Sequence, residues 1–142
     1  MAEPFPMVVE LGKIREFARA TGSSHPDYLE TEQDAVAPVT FLMSSAFWQV
    51  PGSNPYDERR PLDMSRMLHG AQDFSFPDGP PVAGTRLVGQ SRFGRTYTKR
   101  GRRGGEMTFT EVVTEYRDES GRVVAEVTGT SIATSRATGD GV

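Results

Sequence analysis

The sequence predicts a single α+β domain, and three observations carry that reading. An apolar run at 39–48 is long enough for one buried helix. From about Met67 onward the apolar period changes to that of strands. Asp118-Glu119-Ser120-Gly121 is a hairpin turn between two β-rich runs. One buried helix followed by a hairpin-linked antiparallel meander is an α+β arrangement of helix on sheet.

Taken in order, Met7-Val8-Val9 reads as a short edge strand. Leu11, Ile14, Phe17, Ala18 and Thr21 then recur at helical spacing, and Gly22 stops that helix as a C-terminal cap does. Residues 27–37 are acidic and irregular. Pro38 is placed as a first helical residue, opening a run that ends at Phe47-Trp48 and is apolar on nearly every face, as a buried helix is. Residues 51–61 hold Pro51, Gly52, Asn54, Pro55 and Pro61 and read as loop. Four strands follow: Leu68 to Phe76, Thr85 to Thr98 with a break near Gly94, Met107 to Tyr116, and Val123 to Ala133. The expected core covers about 7–133 of the single domain 1–142, with a flexible tail at 134–142.

Composition narrows the function. With 142 residues there is room for one core, and with no cysteine there is no disulfide, thiolate chemistry or thiolate-held metal. Two histidines, His25 and His69, are too few for a multi-histidine metal site; no metal and no cofactor are expected. No apolar run reaches membrane-spanning length, so a cytoplasmic protein that does not engage the membrane is expected. The net charge of −3 is unevenly spread. Residues 85–105 carry Arg86, Arg92, Arg95, Lys99, Arg100, Arg102 and Arg103 without one acid, whereas the flanking segments are acidic. Clustered arginines suit a solvated hairpin tip or a phosphate-rich or acidic partner. The acidic remainder and the lack of a recognised motif argue against nucleic acid.

The stretch Thr21-Gly22-Ser23-Ser24-His25-Pro26-Asp27-Tyr28 resembles the active-site loop of the (R)-specific enoyl-thioester hydratases, the MaoC-like dehydratases of hotdog fold. Active members read Asp-x-Asn-Pro-x-His there. Ser23, His25 and Tyr28 stand where the Asp, Asn and His would be, and only Pro26 is kept. Ala37-Pro38-Val39-Thr40-Phe41 is similar to the start of the family's central helix. Leu68-His69-Gly70-Ala71-Gln72-Asp73-Phe74-Ser75-Phe76 resembles the strand written Leu-His-Gly-Glu-Gln-x-Phe in many relatives, and Arg102-Arg103-Gly104-Gly105-Glu106-Met107-Thr108-Phe109 its long hairpin. These stretches are similar to the FAS1-like dehydratase domains, including the non-catalytic subunits of heteromeric (3R)-hydroxyacyl-thioester dehydratases.

The resemblance implies a hotdog domain, an antiparallel sheet wrapped around a central apolar helix. It implies a hydratase/dehydratase subunit for CoA- or carrier-bound acyl groups that itself lacks the catalytic pair. Its partner would be a hotdog chain carrying the intact Asp/His loop, or a second copy of itself. General acid–base hydration needs a carboxylate and an imidazole on one water; Ser23 and Tyr28 supply neither near neutral pH. His69, or a shifted His25/Asp27 pair, is the substitute candidate in a self-sufficient homodimeric hydratase or thioesterase. For Asp27 the plainer alternative is a cap on a short helix at Tyr28-Leu29-Glu30. Tyr28 is better suited to packing in an interface than to donating a catalytic proton. The substrate-contact candidates are His69, Gly70, Gln72, Phe74 and Phe41, with Gly70 alternatively a β-bulge. Arg95, Lys99, Arg100, Arg102 and Arg103 are candidates for docking a carrier or the phosphates of CoA. A binding module without turnover is the third reading.

Overall fold

The computed structural model describes residues 1–59, 61–103 and 105–135. The expected flexible tail at 134–142 therefore lies almost entirely outside the described residues. Its first residue is not frayed: Thr134 ends the last strand, and its hydroxyl donates to the Arg66 carbonyl.

Five strands form one antiparallel sheet in the order β1-β3-β4-β5-β2. They are β1 (Phe5–Val8), β2 (Met67–Ser75), β3 (Arg86–Arg100), β4 (Glu106–Asp118) and β5 (Val123–Thr134). The β4–β5 link is the expected hairpin. Gly121 takes a left-handed φ of 83°, and the Asp118 carboxylate receives the amides of Ser120 and Arg122. These donors, the Ser120 hydroxyl first, hold the Asp118 carboxyl below its ordinary range. The expected interruption of β3 is a register shift between Phe93 and Thr96. A second shift, between His69 and Ala71, makes Gly70 a bulge.

Helix α1 (Leu11–Ala20) lays Ile14 and Ala18 into the core. It ends in a Schellman motif: the Ser23 amide donates to the Ala18 carbonyl and the Gly22 amide to that of Arg19, with Gly22 at φ 78°. The core joins Phe5, Met7, Ile14, Phe41, Leu42, Leu87, Tyr116 and Val127. Phe5 meets Tyr116 edge-on at 6.2 Å. The Tyr116 hydroxyl bonds Ser45 Oγ at 2.8 Å, and burial pushes that phenol above its ordinary pKa.

The apolar run departs from the expected buried helix. It is a 3-10 helix, Phe41–Phe47, that buries only Phe41, Leu42 and Ser45. Phe47 is 92% exposed and Val39 58%. Pro38 precedes the helix instead of opening it; its carbonyl accepts the Phe41 amide. Bonds reaching back three residues also join Met43 to Thr40 and Trp48 to Ser45. The Ser44 hydroxyl donates to the Phe41 carbonyl at 2.7 Å, a local competitor to α-helical bonding. No helix among the described residues is long and apolar enough to cross a membrane.

Candidate functional site

The loop after α1 spends its polar groups on its own backbone. The Ser23 hydroxyl accepts the His25 amide, and His25 Nδ1 accepts the Asp27 amide, each at 3.3 Å. The cap of the short helix α2 (Pro26–Leu29) is thus His25, not the expected Asp27. Asp27 approaches His25 Nδ1 only to 3.7 Å, and both side chains are mainly in solvent. Tyr28 is half-buried against the core.

A second region draws together residues far apart in sequence. Along β2, Gln72 pairs with Gly129 and His69 with Ser131, which places their side chains on the same sheet face as Phe74 and the buried Val127. Asn54, Tyr56 and Met64 lie over this face. Tyr56 reaches down to bond Ser131 Oγ at 2.7 Å, leaving a cavity of about 340 Å³ bordered by Tyr56, Met64, Met67, His69, Gln72 and Val112. Within it His69 Nε2 lies 2.9 Å from the Ala71 carbonyl and 3.0 Å from Gln72 Oε1.

The candidate substrate contacts therefore divide. His69 and Gln72 share this cavity, whereas Gly70 does not line it and packs closely on β5, where a Cβ would sit 2.7 Å from Ile132 Cδ1. Phe74 stacks on Phe76 and packs against the core. Phe41 is buried on the far side, edge-on to Phe17, and borders a separate apolar groove of about 530 Å³ between α1 and the 3-10 helix. Phe47 and Trp48 line that groove too. Tyr56, Gly129 and Ser131 had no part in the sequence reading. A lone glycine inside the β-branched run of β5 was the one available signal, because such a glycine marks a close approach.

The basic hairpin also divides. Arg95 is tied to Glu111 at 2.6 Å, and this ion pair holds the Glu111 carboxyl below its usual range. Lys99 lies 5.2 Å above the Phe109 ring, which stacks on Tyr97 at 5.0 Å. Arg100, Arg102 and Arg103 are exposed about the tip, where the Gly101 amide bonds the Gly105 carbonyl. Gly104, within the expected tip, lies outside the described residues. Among the described residues no cluster of His, Asp and Glu could hold a metal ion.

A family model described as "FAS1-like, dehydratase domain region" matches residues 1–127. The chain is similar to UPF0336 proteins. It is 41% identical over 83 residues to one from Streptomyces griseus, a match covering 54% of each chain. It is 35% identical over 143 residues to one from Parafrankia sp., covering 94% of this chain and 87% of that protein. The chain spans little more than half the length of the Streptomyces relative. Among solved structures it resembles the HadBC (3R-hydroxyacyl-ACP dehydratase) complex of Mycobacterium tuberculosis, with TM-score 0.61 and 23% identity over 93% of this chain and 96% of that one. It also resembles the ChsH1-ChsH2 complex of the same organism, with TM-score 0.69 and 15% identity over 97% and 86%. At these identities the likeness establishes the fold, a MaoC-like hotdog.

Proposed function

The chain belongs to the FAS1-like dehydratase domain family, and from that premise we propose that it is the non-catalytic, substrate-shaping subunit of a heteromeric enoyl-thioester hydratase or 3-hydroxyacyl-thioester dehydratase. One observation carries the reading. In the loop where a water-activating acid and base would stand, Ser23 and Tyr28 replace them; Ser23 is engaged in a backbone bond, as is His25, and Tyr28 packs inward. Hydration requires a base to take a proton from water as its oxygen joins C3, and an acid to deliver a proton to C2. A partner hotdog chain with the intact Asp/His loop supplies both. This chain supplies walls for the acyl thioester. Lys99, Arg100, Arg102 and Arg103 offer a cationic rim for a carrier protein or the phosphates of CoA.

The test is loss of conjugated-thioester absorbance with trans-2-enoyl-CoA substrates. The chain alone should be inert, and turnover should appear when a hotdog chain bearing the Asp/His loop is added. A second reading, a self-sufficient homodimer using His69, is favoured by that ring's place in the cavity beside β2. It requires turnover by the isolated chain and a fall of about a hundredfold or more in H69A, the usual weight of a general base. Turnover that survives H69A would remove it.

A further inference from the structure

Among the described residues, no carboxylate, ammonium or guanidinium lines the cavity beside β2. Its polar groups have fixed directions. The Ala71 carbonyl can only accept, so His69 Nε2 must carry the ring proton, whichever way the Gln72 amide is turned. In the neutral ring this leaves Nδ1 with a lone pair that no described residue takes up. Gln72 gives its oxygen to the same Nε2–H, which leaves its NH₂ as the donor. The amide lies flat across β5 because residue 129 is glycine; a Cβ there would stand 3.1 Å from Gln72 Oε1. Met64, Met67 and Val112 supply the apolar wall.

We propose that this cavity binds the neutral pantetheine arm of the thioester ligand. His69 Nδ1 accepts an amide N–H of the arm, and the Gln72 amide donates to the paired carbonyl. The proposal rests on the dehydratase-subunit reading for its choice of ligand. A carboxylate or phosphate would find no cation among the described lining residues. A secondary amide flanked by methylenes matches one acceptor, one donor and a thioether wall. Arg100, at the base of the cationic tip, lies on β3, three strands across from His69 on β2. Along β4, four positions separate Thr110, opposite Ser131, from Glu106, opposite Arg100. The two side chains therefore start roughly 20 Å apart across the sheet.

The chain has two histidines, so the ring nitrogens can be followed one by one by ¹⁵N NMR on the full-length protein, with His25 as internal control. The free protein should show His69 as the Nε2–H tautomer. Pantetheine, without acyl group or phosphate, should move the His69 Nδ1 resonance in a saturable way and leave His25 in place. Q72L should weaken pantetheine about fivefold, the loss of one hydrogen bond, and G129A, which displaces the Gln72 amide, should weaken it as well. An Nδ1–H tautomer, or millimolar pantetheine that leaves His69 unmoved, would overturn the proposal. Its failure is separable from that of the subunit reading. If the partner chain restores turnover while pantetheine ignores His69, only this site is lost. If pantetheine moves His69 and no partner restores turnover, the site stands and the subunit reading falls.

Discussion

β1 and β2 are the two edges of one five-stranded sheet, and they are built in opposite ways. β1 has four residues, with Pro4 before it and Pro6 within it, and it turns Phe5 and Met7 fully inward. The amide of Glu3, just before it, is taken by the Gly52 carbonyl. Short, proline-bearing and tied to a loop, such an edge is protected against further pairing. β2 has nine residues and no proline, and most of its side chains are exposed, Leu68 by 44%. Beside it Met64 is 70% exposed. One edge finishes the core; the other leaves backbone and apolar surface exposed. Under the proposed subunit role, β2 is the edge on which a partner would dock.

The sealed edge should be the most expensive to disturb. Phe5 fills the space that the missing side chain of Gly89 leaves open and packs edge-on against Tyr116. F5A should cost about 3–5 kcal/mol in urea unfolding, the range for a large buried aromatic. A loss below about 1 kcal/mol would mean that β1 is an ornament rather than a seal. Next in size is the buried hydroxyl pair behind it. S45A strands the Tyr116 hydroxyl and should cost about 1–3 kcal/mol, whereas the double change S45A/Y116F should recover much of that loss. Equal losses in the single and double variants would deny the pair its role.

This contrast was partly legible in the sequence. The strands were, because alternation, the turn chemistry at Asp118–Gly121 and the break near Gly94 are all local. Pro6 was legible as well, since a proline confines a strand to an edge. In the 39–48 run, apolar residues on every face predict burial within the chain. Phe47 and Val39 instead face outward, and Ser44 bonds the Phe41 carbonyl locally in place of α-helical continuation. The His69 cavity was half legible: His69 and Gln72 stand three residues apart, but Tyr56 and Ser131 meet across 75 positions and leave no local trace.

Between the edges, the outer face of β3 and β4 holds the Arg95–Glu111 pair. The Glu111 carboxyl titrates below its ordinary 4.5 when folded, because Arg95 bonds its charged form. It therefore contributes stability that is fully present above the unfolded value and lost as pH falls through the lower folded one. E111Q should be less stable than the parent at pH 7, and the gap should close on acidification below about pH 4. A gap that widens toward acid would reverse the assigned sign.

The open edge should yield the smallest change in folding and the largest in assembly. Leu68 faces outward beside Ile132, so L68K removes little from the chain's own core and should shift its stability by no more than about 0.5 kcal/mol. A lysine on a pairing edge, however, must be desolvated or repelled by what docks there. Sedimentation of the complex, with itself or with a catalytic hotdog chain, should give a Kd raised about tenfold or more. V88K is the matched control. Val88 is 50% exposed on β3, opposite Pro6 of the sealed edge, and its lysine should leave assembly unchanged. If V88K weakens assembly and L68K does not, the edges have been assigned the wrong way round and β1 becomes the docking strand. If neither does, the partner covers the exposed Phe47 surface of the 3-10 helix, and F47D becomes the variant that dissociates the complex.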